Sequence, residues 1–260
     1  MLQIIISPAK KMNVENDWME AADVPEYIED TIRLCDTVKS MDYKAQKALW
    51  QCNDKIAEEN RQRFARMDLT MESRRLSGRT PALIAYEGIQ YQYMAPKVFN
   101  GKQWNYVQSH LKILSGFYGI LKPLDGVVPY RLEMQAKLCV DKSKNLYQFW
   151  NSKIYESLLK GFEDRDDKVI LNLASKEYSK CIEKYVRADV RYITCIFAVN
   201  VNGQLKVKAT LAKMARGEMV RYLSEVQAEN LNTVKEFRAL GFSFQPELST
   251  ESEYMFMKEA

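Results

Sequence analysis

Two kinds of hydrophobic pattern, unbroken apolar runs and apolar residues every three or four positions, divide the chain into predicted strands and helices. Short, unbroken apolar runs predict buried strands at Leu2–Ile6 and Lys168–Leu173. Elsewhere apolar residues recur every three or four positions, as on the buried face of a helix; Gln103–Leu114 places Trp104 on such a face, in the core. The helices predicted in this way are Pro25–Val38, Asp42–Trp50, Asp54–Arg66, Gln103–Leu114, Leu146–Leu159, Thr210–Gln227 and Leu231–Leu240.

An Asn-Gly pair at 202–203 marks a β-hairpin, because both residues readily adopt the positive φ of a tight hairpin turn. The runs that it joins are Tyr192–Asn200 and Gln204–Ala209. Further strands are predicted at Ala82–Tyr86 and Tyr254–Lys258. Helices and strands alternate irregularly, and no repeat or Gly/Ser linker interrupts them. The pattern predicts an α/β (mixed α+β) fold with a mixed β-sheet flanked by helices, and one domain over residues 1–260.

Composition narrows the class of protein. The 260 residues are 47% hydrophobic and 28% charged, with a net charge of +4, which is typical of a soluble protein with a core. The five cysteines are odd in number and include no CxxC pair, so neither a disulfide framework nor a zinc site is predicted. No signal peptide or membrane span is apparent. We expect a cytoplasmic monomer without metal or cofactor.

The only histidine, His110, limits the catalytic constellations that the chain could form. A Ser-His-Asp triad or a Cys-His pair would have to use it. It falls inside a predicted helix, where a hydrogen-bonded or exposed imidazole is the usual case.

Each of the two predicted buried strands is followed by a serine and then a lysine. Leu2–Ile6 is followed by Ser7-Pro8-Ala9-Lys10, and the second strand leads through Asn172 to Ser175 and Lys176. Ser7 before a proline and Ser175 before a polar run are typical of helix N-caps. If the strands are neighbours, these polar residues converge on one anion site at the carboxyl edge of the sheet. The alternative is that both serines only cap helices and both lysines are solvated. The candidate catalytic residues are therefore Ser7, Lys10, Asn172, Ser175 and Lys176.

Arg131 and Glu133 stand two positions apart in the sequence PYRLEM and point to the same side of an extended chain. We interpret them as a structural ion pair. If the pair is buried, each charge needs the other.

Two stretches are strongly basic. Residues 88–124 contain no acid but four lysines, interleaved with aromatic residues, and residues 206–221 contain five cations against Glu218 alone. Lysine meets phosphate and aromatic rings stack on unpaired bases, so this composition favours a nucleic-acid surface. The candidate DNA-binding residues are Lys112, Gly116, Gly119, Lys122, Lys206, Lys208, Lys213, Arg216 and Arg221.

Six separate motifs together resemble the YaaA family of bacterial peroxide-stress proteins, from residue 2 to about residue 258. They are ISPAK (6–10), LSGFYGILKPLD (114–125), PYRLEM (129–134), LYQFW (146–150), NLASKEY (172–178) and AKMARGEMVR (212–221). The resemblance implies an unusual α/β fold with a basic cleft and binding of duplex or bubble-containing DNA through a helix-hairpin-helix element. It also implies an association with lowered free iron under peroxide stress.

Two segments are candidates for that helix-hairpin-helix element. The first is the predicted helix 103–114 with Gly116 and Gly119, glycines that would let backbone N–H groups approach phosphate. The second is 42–66, two predicted helices rich in lysine and arginine but without a hairpin glycine. In a further alternative the two glycines simply form a corner between packed elements.

The leading hypothesis is a peroxide-stress protein that binds duplex or locally unpaired DNA without strong sequence specificity. The second is an enzyme acting on a nucleotide-like or other anionic small molecule at the two strand ends, with lysine as electrostatic stabiliser or nucleophile. Neither hypothesis requires a metal, and one histidine with scattered cysteines does not predict an iron site.

Overall fold

The chain folds around the two short apolar runs at 2–6 and 168–173. In a computed structural model that describes residues 1–15, 19–69, 76, 78–162 and 166–259, both runs are strands at the predicted bounds. The strands are β1 Leu2–Ile6, β2 Lys11–Met12, β3 Thr80–Pro81, β4 Tyr86–Glu87, β5 Leu111–Ser115, β6 Gly119–Leu121, β7 Gly126–Val127, β8 Lys168–Leu173, β9 Val190–Val201, β10 Gln204–Lys206, β11 Ser243–Phe244 and β12 Glu253–Glu259.

Eight of these strands form one mixed sheet within the described residues, in the order β11-β12-β9-β8-β1-β5-β6, with β10 paired to β9. Neighbours from β12 to β5 are parallel, whereas β6, β10 and β11 join antiparallel. Ile6 at the end of β1 pairs with Leu173 at the end of β8. The predicted mixed sheet is confirmed, and the two strand ends with similar chemistry are neighbours.

Helices flank this sheet, as predicted. Their bounds are α1 Ile28–Ser40, α2 Tyr43–Trp50, α3 Asp54–Arg66, α4 Ala82–Ala85, α5 Ile89–Met94, α6 Gly101–His110, α7 Leu146–Trp150, α8 Lys153–Lys160, α9 Lys176–Glu183, α10 Ala209–Glu225 and α11 Leu231–Lys235. α10 packs against α5 and α6, and α9 packs against α7 and α8. The buried apolar side chains form one continuous cluster. Within the described ranges, none of the helices has the length and apolarity that crossing a bilayer requires.

The prediction of a helix over 103–114 is wrong in its last four residues. α6 ends at His110, and Leu111 begins β5, which is fully buried between β1 and β6. A short apolar run that is buried on both sides has no distinctive period, so the pattern alone did not separate it from the helix before it. His110, the last residue of α6, is buried, and its Nδ1 lies 2.9 Å from the carbonyl oxygen of Tyr106.

Other bounds differ where the backbone turns sharply. The predicted helix 146–159 is broken between α7 and α8 at Asn151, which has φ +45°. Residues Ala82–Ala85 form a helical turn rather than the predicted strand. The turn of the β9–β10 hairpin has positive φ at both Asn202 and Gly203, as an Asn-Gly hairpin requires.

Ser7 does not begin a helix. After β1 the chain continues as a loop into β2, so the N-cap prediction for Ser7 is wrong. Ser175 does occupy the N-cap position of α9, but its hydroxyl makes no capping hydrogen bond. Both hydroxyl groups are therefore available for another role.

Candidate functional site

Ser7 and Ser175 join the two strand ends directly. The Ser7 hydroxyl accepts a hydrogen bond from the Ser175 backbone N–H at 2.8 Å and donates one to Ser175 Oγ at 3.2 Å. A hydroxyl has one proton, so with the Ser7 proton used in this way the Ser175 proton remains free to donate elsewhere. The pair thus presents one hydroxyl donor at the carboxyl edge of the sheet.

Lys10 and Arg131 both approach Glu133. Arg131 Nη2 lies 2.9 Å and Lys10 Nζ 3.3 Å from the same Glu133 Oε1, and the side chains of Arg131 and Glu133 are only 14% and 11% exposed. Glu133 Oε1 and Arg131 Nε are both buried without a hydrogen-bond partner. The two cations hold the carboxylate by charge, and the Lys10 side chain is 63% exposed.

Helix α10 contributes Lys213 and Arg216 to the region that contains Ser175 and Lys10. At Gly217 an added Cβ would collide with the carbonyl oxygen of Gln90 and lie 2.9 Å from Met94 N, so α10 packs against the backbone of α5. This close contact sets Arg216 beside the Gly88–Tyr91 segment. Burial lowers the pKa of Arg216, and its Nε has no hydrogen-bond partner.

These residues line one cavity of about 420 Å³, which we call the strand-end cavity. Its charged lining residues are Lys10, Lys11, Glu87, Arg131, Glu133, Glu177, Lys213 and Arg216. Lys11 pairs with Glu87 at 2.8 Å, and Lys10 and Arg131 share Glu133. Within the described residues, Lys213 and Arg216 have no acidic partner. The cavity therefore carries uncompensated positive charge.

The wall of the strand-end cavity is built from buried tyrosines. Tyr91 donates a hydrogen bond to the carbonyl oxygen of Ser7 at 3.0 Å, and the Tyr130 hydroxyl lies 2.6 Å from Ser115 Oγ and 2.8 Å from the Tyr86 hydroxyl. Burial raises the pKa of Tyr130, so its hydroxyl stays protonated at neutral pH. These hydrogen bonds hold the tyrosine side chains of this wall in place.

Glu177, at the start of α9, adds a carboxylate to the cavity. Burial raises its pKa, and the charge of Glu133 contributes in the same direction. Carboxyl groups with a raised pKa are suited to proton transfer near neutral pH.

Two of the five residues predicted for this site lie elsewhere. Asn172 is buried, donates to Thr194 Oγ1 at 3.2 Å and accepts from the Ala174 N–H at 2.9 Å, so its amide orders the end of β8. Lys176 is 71% exposed and pairs with Glu183 at 2.6 Å on the outer side of α9. Ser7, Lys10 and Ser175 do line the strand-end cavity.

Gly116 and Gly119 serve close packing in the β5–β6 hairpin. An added Cβ at Gly116 would collide with Leu132 O and lie 2.8 Å from Glu133 C, whereas one at Gly119 would lie 2.8 Å from the Trp150 ring. Both glycines are buried, and strands lie on both sides of them. Strands β5 and β6, rather than two helices, are paired at these glycines, which agrees with the alternative of a corner between packed elements.

The predicted DNA-binding cations are found in different environments. Lys112 on β5 is buried, with 7% exposure, and faces inward. Lys206, Lys208 and Lys213 are exposed, and Lys122 is half exposed and lies 3.9 Å from Asp23. Arg221 is paired with Glu225 at 2.9 Å. The predicted contacts thus include exposed lysines, one buried lysine and one paired arginine, and DNA binding by any of them stays a prediction.

The second helix-hairpin-helix candidate does consist of two helices. α2 and α3 are joined by Gln51-Cys52-Asn53, where Gln51 has φ +46° and the Asn53 side chain accepts from Ile56 N. DNA binding by this segment stays a prediction.

No group of three or more His, Cys, Asp or Glu side chains is arranged to hold a metal ion within the described parts of the chain. Three residues of the strand-end cavity were not predicted from the sequence: Tyr91, Tyr130 and Glu177. Glu177 had a signal, since it directly follows the predicted strand-end residues. The tyrosines had none, because aromatic residues of this segment are equally typical of a core.

Comparisons with known proteins agree with the motifs. A family model described as peroxide stress protein YaaA matches residues 2–248. A UPF0246 protein of Agathobacter rectalis is 50% identical over 258 residues, which cover 99% of each chain. A UPF0246 protein of Desulfitobacterium hafniense is 48% identical over 258 residues, covering 99% of this chain and 98% of the relative. One from Lactiplantibacillus plantarum is 44% identical over 256 residues, covering 98% and 99%.

Proposed function

The chain belongs to the family of the peroxide stress protein YaaA, and we propose that it binds a small, phosphate-bearing, nucleotide-like anion in the strand-end cavity. The observation that carries this proposal is the pair of cations without acidic partners, Lys213 and Arg216, on the wall of a cavity that also holds Ser175. Arg216 is partly buried and, within the described residues, has no acidic partner, which is unfavourable in the empty protein, so an entering anion gains an attraction for which no protein carboxylate competes.

The size of the cavity favours a small ligand. Cavities that hold small molecules measure about 300–1,000 Å³, and the strand-end cavity falls in this range. A duplex is far too wide to enter it. Lys213 and Arg216, which the sequence favoured as DNA contacts, are thus better placed to bind a small anion.

Each residue has a definite role in this proposal. Arg216 and Lys213 bind the anionic group, and the free hydroxyl proton of Ser175 donates a hydrogen bond to it. Lys10 stands at the mouth and moves from Glu133 to the ligand. Glu177 supplies a carboxyl group suited to proton transfer, so the site is equipped for an enzyme reaction on the bound molecule.

Calorimetric titration with 5′-AMP tests the proposal. We expect saturable binding that Arg216→Met weakens about tenfold or more, because a charge-assisted hydrogen bond contributes about 1.5–3 kcal/mol. The matched control is Arg221→Met on the same helix, whose charge is paired with Glu225 and lies outside the cavity. Equal losses in the two variants, or no binding of AMP and of inorganic pyrophosphate, would contradict the proposal.

A second candidate function, DNA binding without sequence preference, is favoured by the β9–β10 hairpin. Every residue of β10 is exposed, and Lys206 and Lys208 both lie on this outer strand and its continuation. A two-stranded ribbon fits the major groove, and lysines on it would meet phosphates. Under this second proposal, DNA that is covered by the protein is shielded from iron-driven oxidative damage.

Salt-dependent binding to a mixed-sequence duplex tests the second candidate. We expect a log–log slope of about −4, and Lys206→Ala and Lys208→Ala should each lower its size by about 1. The control is Lys176→Ala, whose charge is neutralised by Glu183. Binding that hardly changes between low and moderate salt would exclude this candidate and leave the first untouched.

A further inference from the structure

A second cavity, of about 860 Å³, lies at the opposite end of β1 from the strand-end cavity. Met1, just before β1, lines it, whereas Ser7, just after β1, lines the other. Its other walls come from the end of α6, the start of β5, the end of β6 and the end of α8, together with the segment before α1, Asp125 and Glu229. Lys112, on β5, lines this second cavity and is only 7% exposed. We call the second cavity the Lys112 cavity.

Lys112 differs from every other charged group that lines the cavity. Glu26 bonds to Lys160 at 2.7 Å, Asp23 lies 3.9 Å from Lys122, and Glu229 lies 3.7 Å from His110 Nε2. The Asp125 carboxylate accepts a hydrogen bond from the Lys122 backbone N–H at 2.8 Å. Within the described residues, the Lys112 amine has neither an ion pair nor a hydrogen bond.

Burial changes the protonation of Lys112 and Asp125, two groups that line the same cavity. It lowers the pKa of Lys112 to about 8, with the charge of Lys122 as the next cause, and it raises the pKa of Asp125 to about 7. Near neutral pH the cavity thus holds an amine with a sizeable neutral fraction and a carboxyl group that is partly protonated. These are the nucleophile and the acid that condensation with a carbonyl group requires.

The charge of the lining favours an uncharged ligand. Three lysines, Lys112, Lys122 and Lys160, are outweighed by four acids, Asp23, Glu26, Asp125 and Glu229. An anion would meet these carboxylates, and a cation would meet the lysine amines. A neutral, polar molecule avoids both penalties.

We propose that the Lys112 cavity binds a small, neutral aldehyde or ketone and that Lys112 captures it as an imine. The neutral amine attacks the carbonyl carbon and forms a carbinolamine. The carbinolamine then loses its hydroxyl group as water, with a proton from the Asp125 carboxyl group, and the C–O bond is replaced by C=N. The proton released by nitrogen returns to the carboxylate, so the step consumes no oxidant or reductant.

Reductive trapping tests this proposal on the unmodified protein. The protein is incubated at pH 7.5 with dihydroxyacetone and cyanoborohydride, and each lysine is followed by peptide mass mapping. We expect Lys112 to be labelled at least about tenfold faster than the exposed Lys102, since its neutral fraction exceeds that of an ordinary lysine by about two orders of magnitude. Labelling of Lys112 should saturate with dihydroxyacetone concentration.

Two variants separate the chemistry from simple accessibility. Asp125→Asn should slow the trapping of Lys112 about fivefold or more without changing the labelling of Lys102. Lys122→Met keeps Asp125 but removes the positive charge that helps to lower the pKa of Lys112, so it should slow the trapping of Lys112 less than Asp125→Asn does. Labelling of Lys112 that is no faster than that of Lys102, or that rises linearly without saturation, would overturn the proposal.

Discussion

The hydroxyl oxygen of Ser7 accepts the backbone N–H of Ser175 at 2.8 Å, across 168 residues of chain. This bond joins the end of β1 to the start of α9, and because Ser7 also donates to Ser175 Oγ, only the Ser175 hydroxyl keeps a free proton at the strand-end cavity that both serines line. The two serines therefore have unequal roles. Ser7 holds the backbone, and Ser175 faces the ligand that we propose.

Exchanging each serine for alanine should separate these roles. Ser7→Ala leaves the Ser175 N–H without its acceptor, and we expect a loss of about 1–2 kcal/mol in unfolding free energy, measured in urea. Ser175→Ala keeps that N–H bond, so it should cost less stability but weaken AMP binding about fivefold. The same loss of stability in both variants, with AMP binding unchanged, would show that the inequality is absent.

Glu133→Ala should destabilise the protein by about 3 kcal/mol, because it leaves the largely buried Arg131 without its counter-charge. A double-mutant cycle should give a coupling above about 1 kcal/mol between Arg131 and Glu133. Coupling between Lys10 and Glu133 should stay below that value, since Lys10 is largely exposed. Additive effects for Arg131 and Glu133 would contradict the pairing.

Gly116→Ala should be among the most damaging small substitutions in the chain. Its Cβ would collide with Leu132 O and press on Met134 N at 2.9 Å, and backbone atoms cannot rotate away as a side chain can. We expect a loss of about 2–4 kcal/mol and weaker AMP binding, because the Arg131–Glu133 segment shifts. Gly101→Ala, with no atom within 4 Å of the added Cβ, is the matched control and should be neutral or slightly stabilising. Equal stability of the two variants would refute the close contact.

The two titrating groups of the Lys112 cavity should give opposite pH dependences. The pKa of Asp125 is raised to about 7 from about 3.9 in the unfolded chain, so its contribution to stability falls as pH rises between these values. Asp125→Asn should therefore gain on the unaltered protein over this range, by up to about 1.4 kcal/mol per pH unit. The pKa of Lys112 is lowered to about 8 from about 10.4, so its contribution rises with pH between 8 and 10.4.

Urea unfolding at pH 5, 7, 8 and 10 measures both effects. The advantage of Lys112→Met over the unaltered protein should shrink from pH 8 to pH 10. A pH-independent difference for either variant would mean that the group does not titrate in the stated range.

Only the part of the strand-end site that depends on local sequence patterns could be predicted from the sequence. β1 and β8 are short apolar runs followed by polar residues, and parallel buried strands place such ends at one edge; this was enough to bring Ser7, Lys10 and Ser175 together. Lys176 was misplaced because α9 begins there, and each helical residue turns about 100° from the one before it. One residue is enough to move a side chain from the cavity to the outer side of the helix.

Arg216 and Lys112 show why the remainder was missed. Arg216 reaches the cavity only through the contact of Gly217 with Gln90, two residues far apart in sequence that no local pattern relates. Lys112 did carry a signal, since a lone lysine within the buried run LKILS is anomalous in a strand. This signal was missed because the run was assigned to the preceding helix, and a lysine on the exposed face of a helix is ordinary.

The order of strands in the sheet also bears on how the chain emerges from the ribosome. Among the described strands β1 is synthesised before the others, yet it lies inside the sheet between β5 and β8, both of which follow much later. At about 5–20 residues per second, its apolar LQIII segment waits on the order of 5–20 s for β5 alone. During that interval the nascent chain presents an unpaired, aggregation-prone edge. Its yield in cells should therefore depend on chaperones that shield the first strand until its neighbours arrive.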